Sequence, residues 1–297
     1  MAQQTGCRDS GVHSSSGNGG PKSAGTQPVA PANFERQIHE YVNHIHQSRN
    51  RKIRSKSEFS QIQKSMELVY GRNTRLFCVD IEAWERNTQI VTEIGVSIYD
   101  PQKQAMALLP VLQSYHIIIK QLQNKRNGRY VPDHMHNFME GQLMLLPLLE
   151  AKAFLQCLID KYFGKQTGIA CVFVGHDVHN DVDYLAKIGV RVPKNVPQLD
   201  TQKLFACSHG LHGASLLNAL RTVKQPFAFL HNAGNDAYYT VLLALRLCDP
   251  NVRLMLGLDL LADGEQLGDR KNYLKTPANT SVPIAVDFRA VLRQLDL

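Results

Sequence analysis

The sequence predicts an α/β fold: a mixed sheet, three antiparallel strands followed by parallel ones, flanked by helices. Three strand-like runs follow in close succession, at residues 76–81, 92–99 and 115–119, and read as an antiparallel meander. Downstream the pattern changes to helices alternating with short strands, which favours parallel pairing. Hydrophobic residues make up 43% of the 297, ordinary for a globular core.

Residues 1–33 are rich in Gly, Ser, Pro and Gln and read as a disordered tail. The tail is poor in acids and holds Arg8 and Lys22, a faint likeness to a mitochondrial transit peptide. It lacks the spaced arginines of such a peptide, so a plain flexible tail is expected. Residues 34–73 turn helical and form a basic extension, interrupted by Arg49-Asn-Arg-Lys-Ile-Arg-Ser-Lys56. Five basic residues in eight read first as a solvated face or linker, with a nucleic-acid patch as the sharper alternative.

The main domain is expected over 74–248. The run 76–81 is apolar except for Asp80 and reads as a strand buried on both faces. A polar stretch, 120–142, is too long for an ordinary connection and so is functional or mobile. Residues 143–163 carry helical spacing, and 169–174 form a fourth strand that runs into Gly175-His176. A short helix over 181–188, a strand over 197–201 and helices over 214–223 and 235–247 follow. Residues 249–297 are expected to pack back on the domain, with a helix at 286–295.

The net charge is +7, from 33 basic and 26 acidic residues, which favours acidic partners such as nucleic acid. No apolar run is long enough to span a bilayer, so no membrane partner is expected. The six cysteines are scattered without a C-x-x-C pair and fit a reducing, intracellular compartment, cytoplasmic or nuclear, with the mitochondrion as the tail's alternative.

Three patches carry the chemistry. Asp80 and Glu82 are two apart on one strand and therefore share a face. Two carboxylates there repel each other unless a proton or a hard divalent cation intervenes; the alternative is a solvated strand end. Asp181 shares the stripe of Tyr184, Leu185 and Ile188 and faces inward, whereas Asp183 does not; the alternative is a first-turn acid favouring the helix dipole. In His231-Asn-Ala-Gly-Asn-Asp236, the aspartate sits in the first turn of a strongly apolar helix and the histidine on the loop before it. The bland reading is a satisfied histidine beside a helix-starting acid.

Taken in order, D-x-E, G-H-x-x-x-x-D and H-x-x-x-x-D resemble the DnaQ-like DEDDh exonucleases, which have an RNase H-like fold. Asp200-Thr201, the run Ser215-Leu-Leu-Asn-Ala-Leu220 and Thr240 fall where that family carries related residues. The run His231–Ala237 resembles a fungal branch of RNase H-like proteins. The resemblance implies a 3′–5′ exonuclease releasing 5′-mononucleotides from single-stranded RNA or DNA by a two-metal mechanism. It implies Asp80, Glu82, Asp181 and Asp236 as ligands of two Mg²⁺ or Mn²⁺ ions, with His231 as the base for the attacking water. Ala83, Trp84 and His176 fall where the family meets the strand. The family usually shows a small or Thr residue after its D-x-E pair; here Ala83 is followed by Trp84, which would stack on a terminal base or fill a core gap. Asp177 and Asn180 replace the family's usual Asn and Phe. The alternative function is a catalytically weak or inactive module that binds nucleic acid or an adaptor partner, with the N-terminal tail as the segment a protein partner would hold.

Overall fold

Residues 31–262, apart from 105, 106, 108, 165–167, 211 and 212, are described by a computed structural model. The expected tail up to residue 30 and the expected helix at 286–295 lie outside the described residues. Residues 31–33, expected to belong to the tail, instead open a helix, α1 (Pro31–Gln47). A proline costs little in a first turn, because its missing N–H would have no intrahelical partner. Ile38, Tyr41 and Ile45 recur three and four residues apart and are buried as one stripe. A second helix, α2 (Lys56–Val69), starts at a capping box: Ser55 Oγ accepts from Glu58 N–H, and the Glu58 carboxylate accepts from Ser55 N–H.

The basic stretch between these helices is folded inward rather than solvated throughout. Lys52 and Ile53 are buried, and Arg51 Nη1 donates to the carbonyls of His46 and Ser48 at the end of α1. Lys52 N–H donates to Asp259 O at 2.7 Å, which stitches the connection to the far end of the described chain.

The six-stranded sheet has the order β4-β3-β2-β1-β5-β6. Antiparallel β1 (Thr74–Trp84), β2 (Asn87–Tyr99) and β3 (Leu112–Ile119) form the meander. Parallel β5 (Ala170–Gly175) and β6 (Gln198–Asp200) extend it beyond β1. One sequence expectation is corrected here: residues 143–146, expected to open the helix over 143–163, belong to an edge strand, β4 (Gln142–Leu146), parallel to β3. Helix α3 (Leu148–Phe163) begins only after Pro147, which has no N–H to donate and holds its predecessor extended. The leucine-rich run fits both periods, and Pro147 decides between them.

Helices α4 (Val178–Lys187), α5 (Thr201–His209), α6 (Leu216–Thr222), α7 (Ala233–Leu247) and α8 (Pro250–Met255) complete the order. The sequence reading missed α5; its signal is Asp200, whose Oδ1 caps the N–H groups of Gln202 and Lys203 at 3.0 and 3.2 Å. On β1, Phe77 and Val79 pack with α3 and α4 on one face, while Leu76 and Cys78 pack with α7 on the other. The same alternation carries Asp80 and Glu82 to the α7 side.

The chain beyond α7 is tied in by a buried ion pair. Arg253 donates from Nε and Nη2 to the two oxygens of Asp259, at 2.8 and 2.6 Å, and from Nη1 to Leu247 O at 2.9 Å. Tyr41 on α1 and Ser208 on α5 donate to the same carboxylate. Removing one member strands a desolvated charge. Asp259→Ala should therefore destabilise the protein by about 3–5 kcal/mol, measured by chemical denaturation.

Candidate active site

The site is assembled where the start of α7 lies across the middle of the sheet. A Cβ on Gly95 in β2 would sit 1.8 Å from Ala233 O, so only glycine lets the helix come this close. A Cβ on Gly234 would meet Phe138 at 2.6 Å and the His116 Cβ at 2.7 Å. This contact sets Asp236, in the first turn of α7, against the carboxylates of β1.

Asparagines hold that helix start. Asn232 is the N-cap, its Oδ1 accepting from Asn235 N–H at 3.0 Å, while its Nδ2 donates to His134 O and Met135 O at 2.9 and 3.2 Å. Asn235 donates from Nδ2 to Asn137 O and Phe229 O and accepts Met139 N–H at 3.0 Å. The polar stretch expected to be functional or mobile is thus partly pinned: residues 134–139 are fastened to α7 by the two asparagines of the third patch.

The carboxylates converge. Glu82 stands opposite Glu93 across β1 and β2. Ile81 N–H donates to the Asp181 carboxylate, which joins α4 to β1 between Asp80 and Glu82. A Cβ on Gly175 would lie 3.1 Å from Asp181 Oδ2, so β5 ends against the same group. Asp236 Oδ2 accepts His231 N–H at 3.0 Å, while Asp236 Oδ1 is buried with no hydrogen-bond partner among the described residues. One turn along α7, the buried Thr240 hydroxyl also lacks a partner among them. One ligand atom from each of Glu82, His231 and Asp236 lies within 4.8 Å of the others.

Burial is the main force on these acids. It raises Asp80 well above the ordinary carboxylate range, with Asp236, Asp181 and Glu82 adding repulsion. Glu82 is raised by burial, then by Asp236 and Glu93, and Asp181 by burial and Asp177. Asp236 is pushed up to about 7, chiefly by burial. Mutually repelling buried carboxylates, one with an orphaned oxygen, suit a hard divalent cation well.

His231 adopts a left-handed conformation, φ 65°, with its Nδ1 3.9 Å from Glu82 Oε1 and its side chain 42% exposed. Burial and the facing His134 hold its imidazole below the ordinary value, so it is neutral near pH 7 and able to take a proton.

Two residues the sequence reading missed lie beneath the site. Glu93 Oε2 is 2.8 Å from His116 Nε2, and both side chains are buried. The same oxygen accepts Ala233 N–H at 3.4 Å, a carboxylate at a helix N-terminus. The available signal was an acid and a histidine, each alone in an apolar strand. His176, which the resemblance implies as a strand contact, is held by hydrogen bonds within the protein. Its Nδ1 is 2.9 Å from Thr201 Oγ1 and its Nε2 2.7 Å from Ala214 O, so both ring nitrogens are engaged inside the protein. Asp177 has φ 81°, a conformation that Asp and Asn enter more readily than most residues, which accounts for its exchange with the family's Asn. Asn180 turns back to the Asp177 carboxylate. Ala83 and Trp84 lie just past Glu82, where the β1–β2 register shifts.

Gly95→Ala should destabilise the protein by about 1–3 kcal/mol or more, because the obstacle is backbone; denaturant melts would check it. Asp236 also makes the metal-free stability pH-dependent. Its folded value, about 7, lies above its unfolded value of 3.8, so the folded state binds the extra proton. The corresponding stability is complete below the unfolded value and falls as pH rises through about 7. Thermal melts in chelator should show this fall, and added Mg²⁺ or Mn²⁺ should flatten it.

The family described as DNA polymerase III subunit epsilon-like, C-terminal domain (DEDDh_C) matches residues 75–247. An uncharacterized Saccharomyces cerevisiae protein, YDR514C, is 40% identical over 247 residues, 75% of this chain and 50% of that protein. Good for full DBP5 activity protein 2, from the same yeast, is 36% identical over 68% of this chain and 40% of its own length. The chain therefore spans half or less of these two relatives. An uncharacterized nucleolar protein of Schizosaccharomyces pombe, C2C4.08, is 31% identical over 66% of this chain and 76% of its own. A product-bound structure of exonuclease I aligns with 62% of this chain and 45% of that one, at 10% identity and TM-score 0.35. The chain belongs to the DEDDh family of DNA polymerase III epsilon-like domains.

Proposed function

We propose that this protein is a metal-dependent 3′–5′ exonuclease that hydrolyses single-stranded RNA or DNA to 5′-mononucleotides. The observation that carries the reading is the orphaned Asp236 oxygen, buried beside Glu82 and His231 in a cluster of repelling carboxylates. Asp80, Glu82, Asp181 and Asp236 would hold two Mg²⁺ or Mn²⁺ ions. Such ions, when bound, stabilise charge on the attacking and departing oxygens.

The protein's own groups do the rest. His231, neutral and part-exposed beside Glu82, takes the proton from the attacking water. Its position is set by its N–H bond to Asp236 and by the asparagine-held start of α7. Glu93 and His116 act as positioning residues, because they hold the first N–H of that helix from below.

A second reading, a nucleic-acid or adaptor module with little turnover, draws on one relative's name, which ties that protein to the full activity of another. End-labelled single strands in Mg²⁺ or Mn²⁺ separate the two. The wild type should release mononucleotides stepwise from the 3′ end and spare circular strands. Asp80→Ala should abolish this release, and wild-type cleavage no greater than that variant's would refute the nuclease reading in favour of the module.

His231→Ala should lower kcat by about 10²–10⁴-fold. The acid limb of the wild-type pH–rate profile should fall below the ordinary histidine range, since the base must be neutral, and the variant should lose that limb.

A further inference from the structure

The β1–β2 hairpin runs on past the carboxylates. Glu82 is still in register with Glu93, but the pairing shifts at Ala83 and again at Trp84 before the turn at Glu85 and Arg86. Irregularities of this kind bend a strand and re-aim its side chains. The loop over 125–133 is fastened to this tip. Asn127 accepts Glu85 N–H at 2.9 Å and donates to Ala83 O at 3.2 Å. The Glu85 carboxylate accepts the N–H groups of Arg129 and Tyr130 at 3.0 and 2.9 Å. Hairpin and loop therefore form one anchored surface.

That surface alternates rings with cations. The Lys125 ammonium lies 4.1 Å from the Trp84 ring centroid, and the Arg86 guanidinium 5.9 Å from it. Arg129 lies 5.1 Å from the Tyr130 ring, and Tyr130 is 70% exposed. Across residues 84–86 and 125–133 there are four cations and two acids. Both acids are already occupied, Glu85 by the loop backbone and Asp133 by Arg126 Nε at 2.7 Å. Positive charge is therefore left over, beside two aromatic faces, two residues beyond Glu82.

Charge of this sign beside aromatic planes matches an unpaired polynucleotide, whose phosphates are anionic and whose bases have free faces. A duplex hides those faces within its own stack. We propose that this hairpin–loop platform binds the unpaired nucleotides 5′ of the scissile bond. Bases stack on Trp84 and Tyr130, and phosphates meet Arg86, Lys125 and Arg129. The platform rests on the nuclease reading for its place in the reaction, and it makes that reaction selective for single strands.

Trp84 is the only tryptophan of the chain, so its fluorescence reports the platform directly. The full-length Asp80→Asn variant in Mg²⁺ is titrated with an unstructured RNA of about ten nucleotides, a blunt duplex of the same sequence, and inorganic polyphosphate. The single strand should quench Trp84 saturably, and the duplex and polyphosphate should not. Adding Lys125→Ala and Arg129→Ala should weaken single-strand binding about ten-fold or more and reduce the salt slope by about 1.4, about 0.7 for each lost phosphate contact. A thermal melt unchanged from the parent separates this loss from a folding defect.

In the otherwise wild-type protein the same pair should raise KM on long strands more than on a dinucleotide, whose single 5′ nucleotide reaches less of the platform. Absence of quenching, equal quenching by polyphosphate or duplex, or unchanged affinity in the double variant overturns the platform. If the wild type cuts no nucleic acid while single strands still quench Trp84 selectively, the nuclease reading falls and the platform stands.

Discussion

The carboxylate cluster depends on how closely the first turn of α7 approaches β2. Ala233 O occupies the space a side chain at position 95 would need, and Glu93 receives Ala233 N–H from beneath. This contact brings Asp236 against Asp80 and Glu82, which lie far earlier in the chain. Without it the acids of β1 would face only one another. With it they form a cluster in which burial and mutual repulsion disfavour negative charge and favour a cation.

The polar residues around that contact divide the labour. Asn232 and Asn235 satisfy backbone groups of α7 and of the 134–139 loop together, so the loop and the helix start are held as one unit. Such buried amides are costly when unpaired and stiffening when satisfied. His231 sits between them and the carboxylates in a left-handed conformation, with its backbone spoken for and its ring partly free. A second buried polar knot, Arg253 with Asp259, Tyr41 and Ser208, links α1, α5 and the chain beyond α7.

Much of this was legible in the residues. Asp80 and Glu82 share a face because a strand has a period of two, and Asp181 turned inward because its helical stripe is apolar. Where the reading failed, two patterns overlapped or one was too short to see. Residues 142–146 are leucine-rich enough to fit a helix, and only pairing with β3 at the sheet edge made them a strand. Helix α5 spans nine residues and was signalled by little more than the Asp200 cap. Some contacts carry no local signal at all: both His176 nitrogens are tied to Thr201 and Ala214, partners 25 and 38 residues away.

The family, the meander of β1 to β3 and the inward-pointing acids are written in the residues, because they follow from local periodicity and ordered motifs. That Gly95 and Gly234 admit α7 to the sheet emerges only when distant segments pack. So does the support of its first turn by Glu93 and His116, and the meeting of Trp84 with Lys125 across a hairpin and a distant loop. Those are contacts between segments far apart in the chain. Their energies come from close packing and buried hydrogen bonds, which no spacing along a single strand or helix encodes.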